Sequence, residues 1–335
     1  MQIFINTYGS YLHVKEDMFE VKTRPDPKQK DKIKVNHIAA HKITSFVVSK
    51  GAAISTDAIA LAVKHNIDIV VVENNGHPLG RFWHSKLGST TKIRKRQLEV
   101  SMDAVGLEWI KQWLIVKLQN QAEYLGDLRK HRPKISITLA ESEKRILEQC
   151  EKIAELKADS ISDVAERIRG LEGTAGRLYF GGLSKSIPEE FNFKGRSFRP
   201  AQDPFNAMLN YAYGILYSRT ERALMLAGLD PYVGFLHRDD YNSKSLVFDF
   251  IEPYRIHAER CVFALFSKKQ VNKTFFEDIS GGVSLNADGK PVLVEHFMKY
   301  LDQDTIRHKG RNQTRYNAMQ LDAHNFANTL IAKEE

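Results

Sequence analysis

Cysteine is nearly missing from this sequence. Cys150 and Cys261 are the only two in 335 residues, and neither belongs to a CxxC pair. A disulfide framework and a thiolate zinc site are therefore not expected. No apolar run approaches the roughly 20 residues that a membrane-spanning helix needs. The opening MQIFINTYGS has neither the basic segment nor the apolar core of a signal peptide. These absences lead to the expectation of a cytoplasmic protein. P-loop, GxGxxG and HExxH patterns are absent as well. Nucleotide hydrolysis, dinucleotide chemistry and zinc-dependent proteolysis thus have no support.

What is present is a chain long enough for two domains and a substantial core. Its formal net charge is +8, which makes a polyanion a natural partner, nucleic acid being the commonest. A charge kept for solubility alone is the plainer reading.

Strand signals crowd the start: Ile3 to Ile5, Tyr11 to Val14, Met18 to Val21, Val35 to Ile38, Ser45 to Val48 and the run IDIVVVE. Asp26 to Lys34 reads as a loop and NNGHPLG as a turn before Arg81 to His84. Ser55 caps a helix over TDAIALAVKHN. After the basic run KIRKRQ, Lys92 to Gln97, helical patterns take over at Leu107 to Leu125, Leu139 to Leu156 and Ser160 to Phe180. The expected organisation is α+β in two domains: a β-rich part at 1–84, a linker at 85–91 and an all-α part at 92–335. KIRKRQ, with Arg94, Lys95 and Arg96, and a second charged stretch with Arg129, Lys130 and Arg132 either touch phosphate or form solvated helix ends.

Three segments carry the chemistry. In SISDVAERIRGLEGTAGRLYF, Ser160 and Asp163 have capping-box spacing. Val164, Ile168, Leu171, Ala175 and Leu178 form an apolar stripe with Glu172 on its border. The small residues Gly173, Ala175 and Gly176 invite a close helix junction; alternatively, Glu172 simply pairs with Arg169 or Arg177. In QDPFNAMLNYAYGILY, Asp203 and Pro204 make an N-cap and N1 pair, and Gly228 ends the helix. The third segment, GFLHRDDYNSKSLVFDFIEPYR, sets His237 in a polar connector. It then places Asp249 and Glu252 three apart on one face of an otherwise apolar helix. Pro253 has no N–H for the Asp249 carbonyl, which invites a kink there. Two neighbouring buried acids need a compensating charge, supplied either by Arg255 or by a divalent cation. Carboxylates with one imidazole suit Mg²⁺ or Mn²⁺, and with a basic chain that points to phosphoryl transfer on nucleic acid.

Taken in order, LEGTAGRLYF, DPFNAMLNYAYGILY, AGLDPYVGFLH and SLVFDFIEPYR resemble the integrase of CRISPR adaptation, the metal-dependent nuclease–integrase that captures new spacers, over essentially the whole chain. The resemblance implies Glu172, His237 and Glu252 as ligands of Mn²⁺ or Mg²⁺, with Asp249 supporting the site. Some members carry Asp at the position of Glu252. Tyr217 matches a tyrosine near the site in some members, and Tyr217 and Arg255 join the basic residues as candidates for DNA contact. The resemblance further implies a homodimer formed through the β-rich domain, a small ferredoxin-like partner protein, double-stranded and branched DNA as substrates, and attack of a 3′-hydroxyl on a repeat-end phosphodiester. A nuclease that hydrolyses branched DNA and a non-catalytic DNA-binding scaffold are the alternatives.

Overall fold

Short β-branched runs separated by turns pair into two four-stranded sheets at the N-terminal end. The computed structural model describes residues 1–23, 33–73, 78–82, 90–237 and 243–332. In chain order the first elements are β1 (Gln2–Ile5), β2 (Tyr11–Lys15), β3 (Met18–Thr23), β4 (Lys34–Ala39), β5 (Ser45–Ser49), β6 (Ala53–Ile54), α1 (Thr56–Lys64), β7 (Asp68–Val72) and β8 (Pro78–Phe82). One sheet has the order β1-β5-β7-β8, parallel except for β8; the other has the order β4-β3-β2-β6. Ser55 caps α1, its hydroxyl accepting from the Ala58 N–H at 3.2 Å. Leu12, Phe19, Phe46 and Ile69 are fully buried, and Phe19 meets Phe46 edge-on at 4.9 Å.

Met1–Gly88 forms one compact unit and Ser89–Glu335 a second. Thr90 and Thr91, expected in the linker, open the helix α2 (Thr90–Val100), while 85–89 lie outside the described residues. Residues 26–32 of the expected loop and 74–77 of the expected NNGHPLG turn also lie outside them, and Lys34, expected in the loop, opens β4. Pro78 to Gly80, expected in that turn, belong to β8.

The second unit continues with α3 (Ala104–Lys130), α4 (Ser136–Ala154), α5 (Ala165–Ser184), α6 (Pro204–Leu226), α7 (Ser245–Phe250) and α8 (Arg255–Ser267). The hairpin β9 (Phe276–Ile279) and β10 (Gly282–Leu285), α9 (Gly289–Asp302), the hairpin β11 (Thr305–His308) and β12 (Arg311–Thr314), and α10 (Arg315–Ile331) complete it. The two hairpins correct the all-α expectation. Their strands are four residues each, too short for alternation to stand out. α3 is capped by Asp103, whose carboxylate accepts from Val105 and Gly106, and it packs along α4 and α5. Asp203 caps α6 as expected. The Asp163 carboxylate accepts from the Ser160 N–H and hydroxyl at 3.2 and 3.0 Å, half of the expected box, within a turn, and α5 begins only at Ala165. Among the described residues no helix is long and apolar enough to cross a membrane.

One polar feature of the first unit follows from register. Glu20 on β3 lies opposite His13 on β2 and His37 on β4, on the face away from Phe19 and Val21. Its carboxylate meets His13 Nε2 at 2.7 Å, His37 Nε2 at 2.5 Å and Lys22 Nζ at 3.0 Å. The Lys22 ammonium, outweighing burial with help from both imidazoles, lowers the Glu20 pKa from 4.5 to about 2. A lowered folded pKa adds stability above the unfolded value, and that stability is lost as pH falls through the folded one. Thermal unfolding of the first unit should therefore separate wild type from Glu20→Gln at neutral pH. The gap should narrow below about 4.5 and close near 2. A gap that does not change with pH would leave Glu20 acting by packing alone.

Candidate active site

On α3, Trp113, Lys117 and Gln121 recur at i, i+4 and i+8, so they share one face. All three are buried. Trp113 stacks on Phe235 at 6.0 Å and meets Phe250 edge-on at 5.5 Å. Phe235 thereby anchors the connector that carries His237, and Phe250 anchors α7. Lys117, one turn along, reaches Glu172 Oε1 on α5 and Glu252 Oε2, each at 2.5 Å. Glu252 sits just after α7, in a 3₁₀ turn over Glu252–Tyr254. The α-helix ends at Phe250, and the Tyr254 N–H instead turns to Ile251 O at 2.8 Å, consistent with the missing N–H of Pro253. The Pro253 carbonyl accepts from Asn120 Nδ2 of α3 at 3.1 Å.

Asp249 and Glu252 share a face but not a partner. Asp249 is fully buried: its Oδ2 accepts from the Phe235 and Leu236 N–H groups at 2.6 and 3.1 Å, and its Oδ1 holds His237 Nδ1 at 2.6 Å. Nδ1 is thus committed, leaving Nε2 as the nitrogen available to a ligand. The approach requires Gly234, because a Cβ there would stand 2.4 Å from Ser245 Cβ. Arg255 Nε binds Glu252 Oε1 at 2.8 Å, and Arg255 Nη1 donates to the Tyr217 hydroxyl at 3.0 Å.

The expected arginine partners of Glu172 are engaged elsewhere. Arg169 pairs with Glu166 and donates to Leu236 O, and Arg177 donates to Thr174. The small residues beside Glu172 do not make a tight junction either, since a Cβ at Gly176 would meet nothing within 4 Å. Helix packing is close instead at Gly182, against Leu125 and Leu139.

Burial alone would raise the Glu252 pKa, but the Arg255 and Lys117 cations outweigh it and hold the carboxyl at about 2. For His237, burial would lower the pKa, and the Asp249 carboxylate reverses that and raises it. Burial also works against the charged form of Lys117, yet Glu172 and Glu252 raise its pKa. Beside this centre, Glu259 of α8 is fully buried, accepting from Tyr213 at 2.7 Å, and burial raises its pKa.

The donor chemistry fits a hard divalent cation: two carboxylates and an imidazole whose Nδ1 is fixed by a third carboxylate. In the present arrangement the Lys117 ammonium joins the two acids. Among the described residues no three His, Cys, Asp or Glu side chains are gathered tightly enough to hold a metal ion. Lys117 was not singled out from sequence. Its signal is a cation on the buried stripe of Ile110, Leu114, Leu118 and Gln121, where an apolar residue is the rule.

The remaining basic candidates lie along the middle of α2 and around the C-terminal end of α3. Arg94 faces Asp230 at 4.0 Å, Arg96 pairs with Glu99, and Lys95 is exposed on α2. Arg129 pairs with Glu143, Lys130 with Asp127, and Arg132 lies over Phe263 at 5.3 Å. Arg255 and Tyr217 belong to the acid centre itself.

A β-rich unit followed by a helical one, with an Asp-fixed histidine beside two bridged glutamates, invites comparison with nucleic-acid enzymes. The chain belongs to the Cas1 family: the profile described as CRISPR associated protein Cas1 matches residues 3–299. A CRISPR-associated endonuclease Cas1 of Archaeoglobus fulgidus is 33% identical over 323 residues, spanning 93% of this chain and 91% of its own. A casposase bound to integration product superposes with a TM-score of 0.83 at 23% identity, covering 100% of this chain and 92% of that one. A chain of a Cas6-RT-Cas1–Cas2 complex matches at 0.77 and 21% identity, over 98% of this chain and 35% of that one. At such identities the two structures establish a common fold.

Lys117→Met leaves the buried Glu252 with one cation fewer, and stability should fall by about 3 kcal/mol, the usual result of breaking a buried pair. Adding Glu172→Gln and Glu252→Gln should recover part of the loss. Urea unfolding of the single and triple variants measures both, and a loss under about 1 kcal/mol would place the acids among solvated surface pairs.

Proposed function

We propose that this protein is a metal-dependent DNA endonuclease and integrase of CRISPR adaptation, which inserts DNA fragments as new spacers by transesterification. The observation that carries this reading is the pair of glutamates from separate helices, Glu172 and Glu252, gathered on one cation beside an imidazole held by Asp249. Glu172, His237 and Glu252 are the residues that would hold Mn²⁺ or Mg²⁺. When bound, such an ion stabilises charge on a scissile phosphate and activates an attacking oxygen.

The chain's own contribution is placement. Asp249, itself fixed by two backbone N–H groups, sets the His237 ring and leaves Nε2 outward. Arg255 bonds both Glu252 and the Tyr217 hydroxyl and so fixes the Glu252 carboxylate. In strand transfer the 3′-hydroxyl oxygen forms the new bond to phosphorus while the repeat's own 3′-oxygen leaves and takes up a proton. One phosphodiester replaces another, so no ATP is needed.

The assembly reading rests on relatives and on the first unit. β4 is an edge strand, and Val35 within it and Ile33 just before it are 43% and 45% exposed. Such an edge asks for a cover, which a homodimer through the β-rich unit would supply. The match to a chain in a complex named with Cas2 supports a small partner protein, proposed to be ferredoxin-like. Double-stranded and branched DNA are the proposed substrates, and the cytoplasm the proposed location.

A disintegration assay on branched DNA with added Mn²⁺, run beside gel shifts and melting curves, tests the site. Glu172→Ala, His237→Ala and Glu252→Ala should lose turnover to background. Asp249→Ala should lose about 10- to 100-fold, as outer-shell partners of ligating histidines do. DNA binding should persist, since phosphate contacts dominate affinity. Turnover near wild type in folded His237→Ala or Glu172→Ala would sink the assignment, and products that are only shortened, never joined, would replace integration with hydrolysis.

A further inference from the structure

Arg255 and Glu259 stand one turn apart at the start of α8, opposite charges at i and i+4 on one helix face. Residues so spaced are neighbours and ordinarily pair. Among the described residues no ion pair joins these two. Arg255 turns back to Glu252, its Nε reaching Oε1 at 2.8 Å, and Glu259 accepts instead from the Tyr213 hydroxyl of α6 at 2.7 Å. Glu259 is fully buried and the Arg255 side chain is 15% exposed, so little water competes for either group. Burial raises the Glu259 pKa, while Tyr213 and the nearby Lys117 and Arg255 charges work against it. The guanidinium is thus within electrostatic reach of an acid that it does not bind.

Tyr213 serves both groups. Its ring takes the Arg255 guanidinium, 5.0 Å from the centroid, and its hydroxyl occupies Glu259. The ring is braced elsewhere as well. Arg196 lies 5.3 Å from the same centroid, and Arg196 is clamped by Asn206, fully buried on α6. The Asn206 amide accepts from Arg196 Nη1 and Ser197 N–H at 2.9 and 3.0 Å, and donates to Gly195 O at 2.8 Å. On Glu259, Oε1 has the Tyr213 hydroxyl as its close donor. Gln121 Nε2 stands 3.5 Å from the same oxygen, longer than an ordinary N–H···O bond.

We propose that Tyr213 and Glu259 are positioning residues that choose the partner of Arg255: the hydroxyl keeps Glu259 occupied, and the guanidinium is left to hold Glu252. A buried acid deprived of its donor draws on the next one within reach, because an unmet charge there is costly. With the Tyr213 hydroxyl gone, Glu259 recruits Arg255, its neighbour on α8, and Glu252 keeps Lys117 alone. That Glu252 serves a metal ion rests on the function proposed above; the choice of partner for Arg255 does not.

The test removes the hydroxyl and then the competing acid. In protein carrying isotope-labelled arginine, without metal or DNA, the Arg255 Nε–H resonance is assigned by its loss in Arg255→Lys. Tyr213→Phe should shift that resonance. Tyr213→Phe combined with Glu259→Gln should return it, since a neutral amide forms no ion pair with Arg255. Mn²⁺ affinity, read from the EPR signal of the free ion, should weaken about 10-fold in Tyr213→Phe, as for other outer-shell partners, and recover in the double variant. A contact that only braces helices gives the opposite pattern, with the double variant as impaired as the single or worse. That pattern, or an Arg255 resonance unmoved in Tyr213→Phe, overturns the proposal. A resonance that shifts and returns in a protein that binds no Mn²⁺ in any form upholds the positioning and refutes the metal-dependent reaction.

Discussion

The second unit is organised around one buried ammonium. Lys117 draws Glu172 from α5 and Glu252 from the 3₁₀ turn after α7 to within 2.5 Å of a single nitrogen. Burial penalises the charge on Glu252, and Arg255 and Lys117 together outweigh that penalty. α3 can present the lysine because Trp113, a turn earlier, is locked among Phe235, Phe250 and Phe326. The same aromatic packing positions the connector that ends in His237. A hydrophobic cluster and an ionic cluster therefore share one helix face, and the first sets the geometry of the second.

Asp249 shows how the backbone is recruited into this arrangement. It takes no part in the ion pairs of Lys117 or Arg255. Instead it ties the Phe235–His237 connector to α7 by two amide hydrogen bonds and one imidazole contact. That division explains how two acids three residues apart coexist in a nearly apolar segment: each has its own set of donors.

Much of this was legible in the residues. β-branched runs marked most of the first-unit strands, Asp203 and Ser55 announced their caps, and Pro253 announced the end of its helix. The order of the three motifs points to the family from the residues alone. The nature of the neighbours was not legible. Glu172 was read against Arg169 and Arg177 because helical spacing shows only local partners, whereas its cation comes from 55 positions away. β9 to β12 were missed because two-stranded hairpins of four residues leave no periodic trace. Asp163 accepts from Ser160 within a turn, since that contact needs only one turn of chain and not a continuing helix.

The clamp on Asn206 has an evolutionary side. The stretch from Gly195 to Ala201 has almost no regular secondary structure, and by composition it would pass for a segment where length varies freely. Yet the buried amide of Asn206 is saturated by Arg196, Ser197, Gly195 and Asp203, and Ala201 is paired to Val283. An added or deleted residue would move several filled hydrogen bonds at once. Relatives that keep this knot should conserve the number of residues between the glycine and the asparagine.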